Sequence, residues 1–530
     1  MVDYRTVVYA TIIALLFFFV HRKATRQKHN HPPAPVSLPL IGHMLAIPSG
    51  LEHLAYLKLG KELNSDIIFI ELVGNQIVVL NSAQAASDLM EKRSAHYSAR
   101  ACPPILKDPK MFDWSTNPGL MYNDVWRHHR RMMSNWLNPH AVIQFDELQE
   151  QQTRLMLLRL LNVSKDPQPF GSVKDEFYCT MAASMLHLTY GYHMKDKNDI
   201  FYVEMMETIF NKFKAVMYTN FYVNLLPSLI HVPDWFPGAG WKRTVREWRY
   251  RKDRAISIPF EWTQDQVNAG VAESSIIGTL LQEHSLTSGL ATEEKHHRLK
   301  ELGMSIFTGG ADAAANVLVN FVAAMVMNPH VHAKAQQEID EVIGSDKLPT
   351  LADESRLPYV NNIILELLRW RPISPTGMIH RSLMPIYGTD QIIAIPHACT
   401  QDNVYRGYDI LEGTIIIGNI WAMTRDEEVY PNPEEFNPDR FLDPKTPPAP
   451  VFGWGRRKCP GMHYGQRSMF IAVTSLLSMY TFAKKLDADG IAIEPVLEDA
   501  PNTLALEFEP FQFEFKSRSE KRWLLLQSSG

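Results

Sequence analysis

The stretch "VFGWGRRKCPGMH", Val451 to His463, sets a single cysteine, Cys459, in a loop punctuated by glycines and charged by Arg456, Arg457 and Lys458. Basic side chains beside a thiol favour the thiolate, and Gly455 and Gly461 allow backbone N–H groups to come close to the sulfur. The residues that follow, "MHYGQRSMFIAVTSLLSMY", read as an apolar-faced helix whose positive N-terminal end points back at Cys459. A lone cysteine is more often a redox sensor or a buried structural thiol. The basic loop and the helix terminus together instead prepare this sulfur for a metal.

Thiolate ligation to a haem iron accounts for all of these features at once. Phe452, Gly455, Arg457, Cys459 and Gly461 resemble the F-x-x-G-x-R-x-C-x-G signature of the cytochrome P450 haem-thiolate enzymes. The resemblance implies that Cys459 is the axial iron ligand and that Phe452, Arg457 and Gly461 lie against a haem b. It also implies a triangular, mainly α fold with small β-sheets.

Three further motifs are weighed against that expectation. In "NNIILELLRWRP", Glu366 and Arg369 are three residues apart on one helical face, a spacing that alone marks an ordinary surface ion pair. The apolar residues around them imply burial, where such a pair needs more hydrogen bonds. "PNPEEFNPDRF" resembles the family segment whose arginine closes a structural network, so Glu366, Arg369 and Arg440 are expected to meet. In "WRHHR", Trp126 and Arg130 are one turn apart and resemble the family's W-x-x-x-R, whose guanidinium suits a haem propionate. Arg127, His128, Arg131, Arg456 and Lys458 would then form a basic face for an acidic flavoprotein reductase.

The last motif departs from pattern. "FTGGADAAANVLVNFVAAM" resembles the family's [A/G]-G-x-[D/E]-T-[T/S] helix, with Gly309 and Gly310 forming an oxygen groove and Asp312 matching the acid. Paired glycines cost a helix about 1 kcal/mol each, which points to a kink or groove; close helix packing is the competing explanation. Ala313 stands where the family has Thr, so the usual hydroxyl for proton delivery is missing. Water, Asp312, Asn316 or a substrate hydroxyl must serve, and Asn316 lies about 60° around the helix from Ala313.

Family members pass from "RWRP" to an X-Pro-His/Arg pair in about half the distance found here. Residues 376–392 therefore read as extra sequence, which makes His397 the propionate neighbour. Residues 111–121 and "FNKFKAVMYTNFYVNLLP" fall where the family binds substrate, and their aromatic and Met content suits an apolar molecule.

At 530 residues and 45% hydrophobic content the chain can bury a very large core, and no linker divides residues 45–515 into separate domains. A net charge of −5 argues against nucleic-acid binding. Four cysteines without C-x-x-C exclude a zinc knuckle or disulfide scaffold and fit a reducing cytosol. "TVVYATIIALLFFFV", residues 6–20, reads as a short membrane span within an anchor at 1–21, suited to the thin endoplasmic reticulum bilayer; a cleaved signal peptide is the rival. Arg22, Lys23, Arg26 and Lys28 keep the following side cytosolic. A basic, Pro-rich connector fills 22–44, and 516–530 reads as a C-terminal tail.

The expected protein is a single-pass endoplasmic reticulum membrane enzyme with a cytosolic catalytic domain, resembling fungal microsomal members of secondary metabolism. It inserts one oxygen atom from O2 into an apolar terpenoid or aromatic metabolite. Its electrons come from NADPH through the P450 reductase, with cytochrome b5 as a second partner. Because of Ala313, a haem-dependent isomerase or dehydratase needing no reductase, and a non-catalytic haem protein, stand as alternatives.

Overall fold

The computed structural model describes residues 29–528 apart from 40, 49–50, 115–116, 120, 217–220, 225, 284, 377–395 and 501–505. The expected membrane span at 6–20, the basic cluster Arg22 to Lys28 and all of the extra stretch except Thr376 lie outside the described residues.

The organising element is the helix Thr292–Met327, 36 residues without a break at Gly309 or Gly310. Its stretch Val317 to Val326 is apolar at every position but one and buried all round, as suits a helix with neighbours on every side. Among the described residues it is the one helix long and apolar enough to cross a membrane, but most of its apolar stretch is covered by the rest of the protein. The helices Pro329–Val342, Pro358–Trp370 and Met462–Met479 share one apolar cluster with it.

Helix Phe170–Tyr190 lies along the central helix, and glycine makes the approach possible. A Cβ at Gly303 would collide with the Tyr190 ring, and one at Gly310 with the Met185 thioether. Gly310 is therefore a packing residue, which corrects its expected place in an oxygen groove. Gly309 is different, because a Cβ there meets nothing within 4 Å.

The stretches 141–161, 199–216 and 333–343, whose helical apolar spacing without internal Pro predicts amphipathic helices, form them with shifted ends. The first opens as a 3-10 turn, Ala141–Phe145, before helix Asp146–Val163; the second is Ile200–Val216. The third is Pro329–Val342, entered through a first-turn proline that already has the helical φ.

One five-stranded sheet runs in the order Ile67–Leu72, Asn75–Leu80, Ile415–Gly418, His397–Ala398, Ala99–Arg100. Its last antiparallel pair sets Arg100 opposite His397. The supposed tail is folded in. Glu514–Ser517 pairs with Tyr480–Ala483, and helix Glu520–Ser528 buries Trp523 and Leu526 while Arg522 bonds Asp340 at 2.7 Å. The alternation of "LALEFEPFQFEF" anticipates the strand, but the helix is short and only its long-range partners reveal it.

Candidate functional site

The cysteine loop is closed by its own backbone: the Cys459 N–H donates to the Phe452 carbonyl at 2.8 Å. Gly453 and Gly455 take φ of +74° and +52°, where a side chain is strained. A side chain at Gly455 would also strike the Met90 carbonyl and the Ser94 Cβ, so this glycine serves backbone packing rather than approach to the sulfur. Gly461 does the latter: its N–H favours the thiolate of Cys459, as does the nearby Arg130. Burial nevertheless outweighs both and raises the thiol's pKa. Cys459 keeps accessible surface even though the protein crowds closely around it.

Beside the sulfur lies a concentration of positive charge. Arg457 donates to the carbonyls of Ser98 (2.8 Å), Pro118 (3.2 Å) and Met121, and its guanidinium sits over the Trp126 ring at 4.7 Å. Arg130, one turn beyond Trp126 on helix Asp124–Leu137, reaches across to the Lys458 carbonyl. Arg100, half-buried at the edge of the sheet, completes the group. Burial and mutual repulsion push Arg457 down to about 8, and burial alone pushes Arg100 down to about 10. Among the described residues, no carboxylate is among the groups that shift Arg130 or Arg457.

His397 is buried between Arg100 and Arg457, and burial with those charges holds it well below its ordinary pKa. Its Nδ1 lies 2.6 Å from the Tyr97 carbonyl, an oxygen that only accepts. The neutral ring therefore donates there and leaves Nε2 as an acceptor. Trp126, Arg130, Arg457 and His397 thus meet as expected, while Arg100 escaped the sequence reading because only strand pairing reveals it. Of the expected basic face, Arg127, Arg131, Arg456 and Lys458 are exposed. His128 is not: it is buried against the Leu286 carbonyl (2.6 Å) and Arg298 (3.0 Å), so it leaves that face.

Glu366, Arg369 and Arg440 form one buried network. Arg369 grips Glu366 with two bonds of 2.7 and 2.8 Å, and Arg440 adds one at 3.1 Å. The Asn437 N–H also donates to Glu366 at 2.8 Å, and the remaining Arg369 donors reach the carbonyls of Thr424, Pro433 and Glu435. Every arm of the charge cluster is answered, the condition under which buried ions are tolerated.

On the central helix, Asp312 and Asn316 share one face and turn toward helix Phe170–Tyr190. The Asn316 amide donates to the Tyr178 hydroxyl at 2.8 Å, and that hydroxyl donates to Glu507 at 3.2 Å. Lys174 closes the chain on the other Glu507 oxygen at 2.5 Å. Burial and Glu507 raise the Asp312 carboxyl to about 7, with Tyr178 bonding and Lys174 opposing. Asn316 is thus committed to the Tyr178 side of the helix. Tyr178 and Glu507 were missed because neither carries a local motif.

The variable loop is tied to the same helix from above. Trp114 Nε1 donates to Glu301 at 2.7 Å, and the Asn117 amide bonds Glu301 (3.3 Å) and Ser305 (3.0 Å). Ser305 is one turn before Gly309, so the loop's described contacts end next to the open position on the helix.

A family model described as Cytochrome P450 matches residues 32–497. The chain belongs to the cytochrome P450 family. Cytochrome P450 monooxygenase 98 of Postia placenta is 34% identical over 92% of this chain and 91% of its own length. Cytochrome P450 monooxygenase 208 of the same fungus is 33% identical over 98% and 96%. Cytochrome P450 monooxygenase ple1 of Rhodocybe pseudopiperita is 34% identical over 89% and 87%.

The chain is thus a cytochrome P450 monooxygenase of the fungal type. The family implies a haem iron, a redox partner and a small-molecule substrate. The residues present fit the haem: beside a thiol that keeps accessible surface stand the guanidiniums of Arg130 and Arg457, a charge and geometry that suit propionates.

Proposed function

We propose that this cytochrome P450 inserts one oxygen atom from O2 into an apolar small molecule, a terpenoid or aromatic secondary metabolite. Electrons come from NADPH through the P450 reductase, which docks on the exposed Arg127, Arg131, Arg456 and Lys458, with cytochrome b5 as a second donor. An N-terminal span holds the enzyme on the endoplasmic reticulum with its catalytic domain in the cytosol.

The observation that carries this reading is Cys459, an accessible thiol set beside a cluster of arginines. Bound haem supplies the iron on which O2 is activated and reduced. Cys459 would hold its iron, and Arg100, Trp126, Arg130, Arg457 and His397 would hold its propionates. Phe452 and Gly461 fix the loop around the sulfur.

Protons are the task of the other face. Asp312, raised to about 7 by its buried position, holds a proton near neutral pH and gives it up readily, as a general acid must. Asn316 orients Tyr178, whose hydroxyl links Asp312 to Glu507 and Lys174. Gly309 leaves open the surface over which substrate and oxygen meet, and the Trp114 and Asn117 loop shuts water out above it.

Ala313 favours a second reading, a haem isomerase or dehydratase that needs no electrons. An ¹⁸O2 assay with reductase, NADPH and candidate metabolites separates the two. Label in the product, dependent on NADPH, is expected. Turnover without NADPH would establish the isomerase, and tight haem binding without turnover of any metabolite a haem sensor.

A further inference from the structure

Away from the haem site, two imidazoles and one carboxylate converge from segments far apart in sequence. His187 is in the last turn of helix Phe170–Tyr190. Gly191 ends that helix at φ +71°, its N–H closing onto the His187 carbonyl at 2.8 Å, and the chain turns back so that the His193 ring meets His187 at 4.4 Å. Glu273 comes from the connector between helices Trp241–Asn268 and Ile276–Gln282.

Its carboxylate lies between the two rings. Glu273 Oε2 is 3.2 Å from His187 Nε2 and 2.9 Å from His193 Nε2, and all three ligand atoms fall within 4.8 Å of one another. A tetrahedral ion with bonds of about 2.0–2.1 Å holds its ligand atoms about 3.3–3.4 Å apart. The side chains already stand near that spacing, and with His193 and Glu273 half exposed a fourth position is left to water.

We propose that His187, His193 and Glu273 bind a divalent transition metal, zinc by preference, at the end of helix Phe170–Tyr190. Two imidazoles and a carboxylate with an open position are a donor set zinc accepts.

The frame around the site is rigid. A Cβ at Gly191 would lie 3.2 Å from the Glu273 carbonyl oxygen and 3.3 Å from its Cβ, so glycine is what lets the two segments close on each other. Tyr192, between the histidine-bearing segments, stacks on Phe201 at 4.2 Å, meets the Trp262 edge at 5.0 Å, and bonds Asp199 at 2.8 Å. Ser275 caps helix Ile276–Gln282 two residues after Glu273. Little has to be ordered when a metal arrives, which favours binding.

His187 Nδ1 is buried without a hydrogen-bond partner. Zinc-binding histidines normally have that nitrogen oriented by a partner, which is worth about 10–100-fold in affinity, so a micromolar site is expected rather than a nanomolar one. The consequence is mechanical. The metal clamps the end of the helix whose Tyr190 and Met185 pack against Gly303 and Gly310 of the central helix.

The test is zinc competition with a chromophoric chelator on the full-length, haem-loaded protein, paired with thermal melting. Wild-type protein should take up one zinc per chain at micromolar concentration and melt higher with it. H193A and E273Q should each weaken uptake by about tenfold or more and abolish the melting shift, while H140A, at an exposed histidine elsewhere, changes neither. The thiolate spectrum of each variant, unchanged, shows that the fold survives. Zinc uptake that is absent from wild type, or equal in H193A and E273Q, overturns the site.

Discussion

Glu366 and Asp312 are both buried carboxyls on helices, and the protein treats them in opposite ways. Glu366 is met by two guanidiniums and a backbone N–H at 2.7–3.1 Å, and each charge in its network has a defined partner. Asp312 is given a neutral phenol, an amide and, beyond them, a second carboxylate; burial first and that carboxylate second push its pKa up to about 7. The first arrangement locks a charge in place and the second keeps a proton loosely held. The difference separates a structural network from one suited to chemistry, although both arise from polar residues three or four apart on a helix.

Breaking the locked side should have the larger effect. Arg369→Ala leaves Glu366 facing Arg440 alone and strands the carbonyls of Thr424 and Pro433, a loss of about 3–5 kcal/mol. Denaturant melts and haem retention read it directly. Were Arg369→Ala to melt like wild type, the contrast with Asp312 would collapse.

Asp312→Asn should leave the fold intact and damage proton delivery instead. Product formed per NADPH consumed is expected to fall by about 10²-fold or more, the lost electrons appearing as peroxide. The same substitution tests the raised pKa through stability. A carboxyl near 7 in the folded chain and 3.8 when unfolded stabilises fully below pH 3.8, and that contribution is lost as pH rises toward 7. The wild-type melting temperature should therefore carry a falling component across this window that Asp312→Asn removes. An unchanged pH profile would mean that Asp312 is not held in its neutral form.

Tyr178→Phe is the finest of these tests. It removes one hydroxyl between Asn316 and Glu507, worth about 1 kcal/mol in stability. It should lower coupling less than Asp312→Asn does, with Ala313→Thr recovering part of the loss for substrates lacking a hydroxyl. Equal coupling in Tyr178→Phe and wild type would remove Tyr178 from the proton path.

The same contrast decides what could be read in the sequence. Cys459, Glu366 with Arg369, and Trp126 with Arg130 sit in short local patterns, because one loop or one helical turn supplies most of their geometry. The long helices were visible for the same reason, and their ends shifted by only a few residues. Arg100, Tyr178 and Glu507 depend on partners brought by strand pairing and helix packing, so no local spacing marks them. Gly310 misled because a paired glycine in a helix serves a groove or a close neighbour equally well, and only the position of Met185 distinguishes them. The alternation of "LALEFEPFQFEF" marks the C-terminal strand, whereas the short helix after it was passed over for want of length, although Trp523 is part of the core.

Everything rests on the sulfur. The reduced, carbon monoxide-bound absorption spectrum of the purified protein and of Cys459→Ala tests it most directly. Wild type should show the Soret shift of a thiolate-ligated haem and the variant should lose it. A correctly folded, haem-loaded wild type without that shift, or a Cys459→Ala variant that keeps it, would contradict the assignment of Cys459 as the iron ligand.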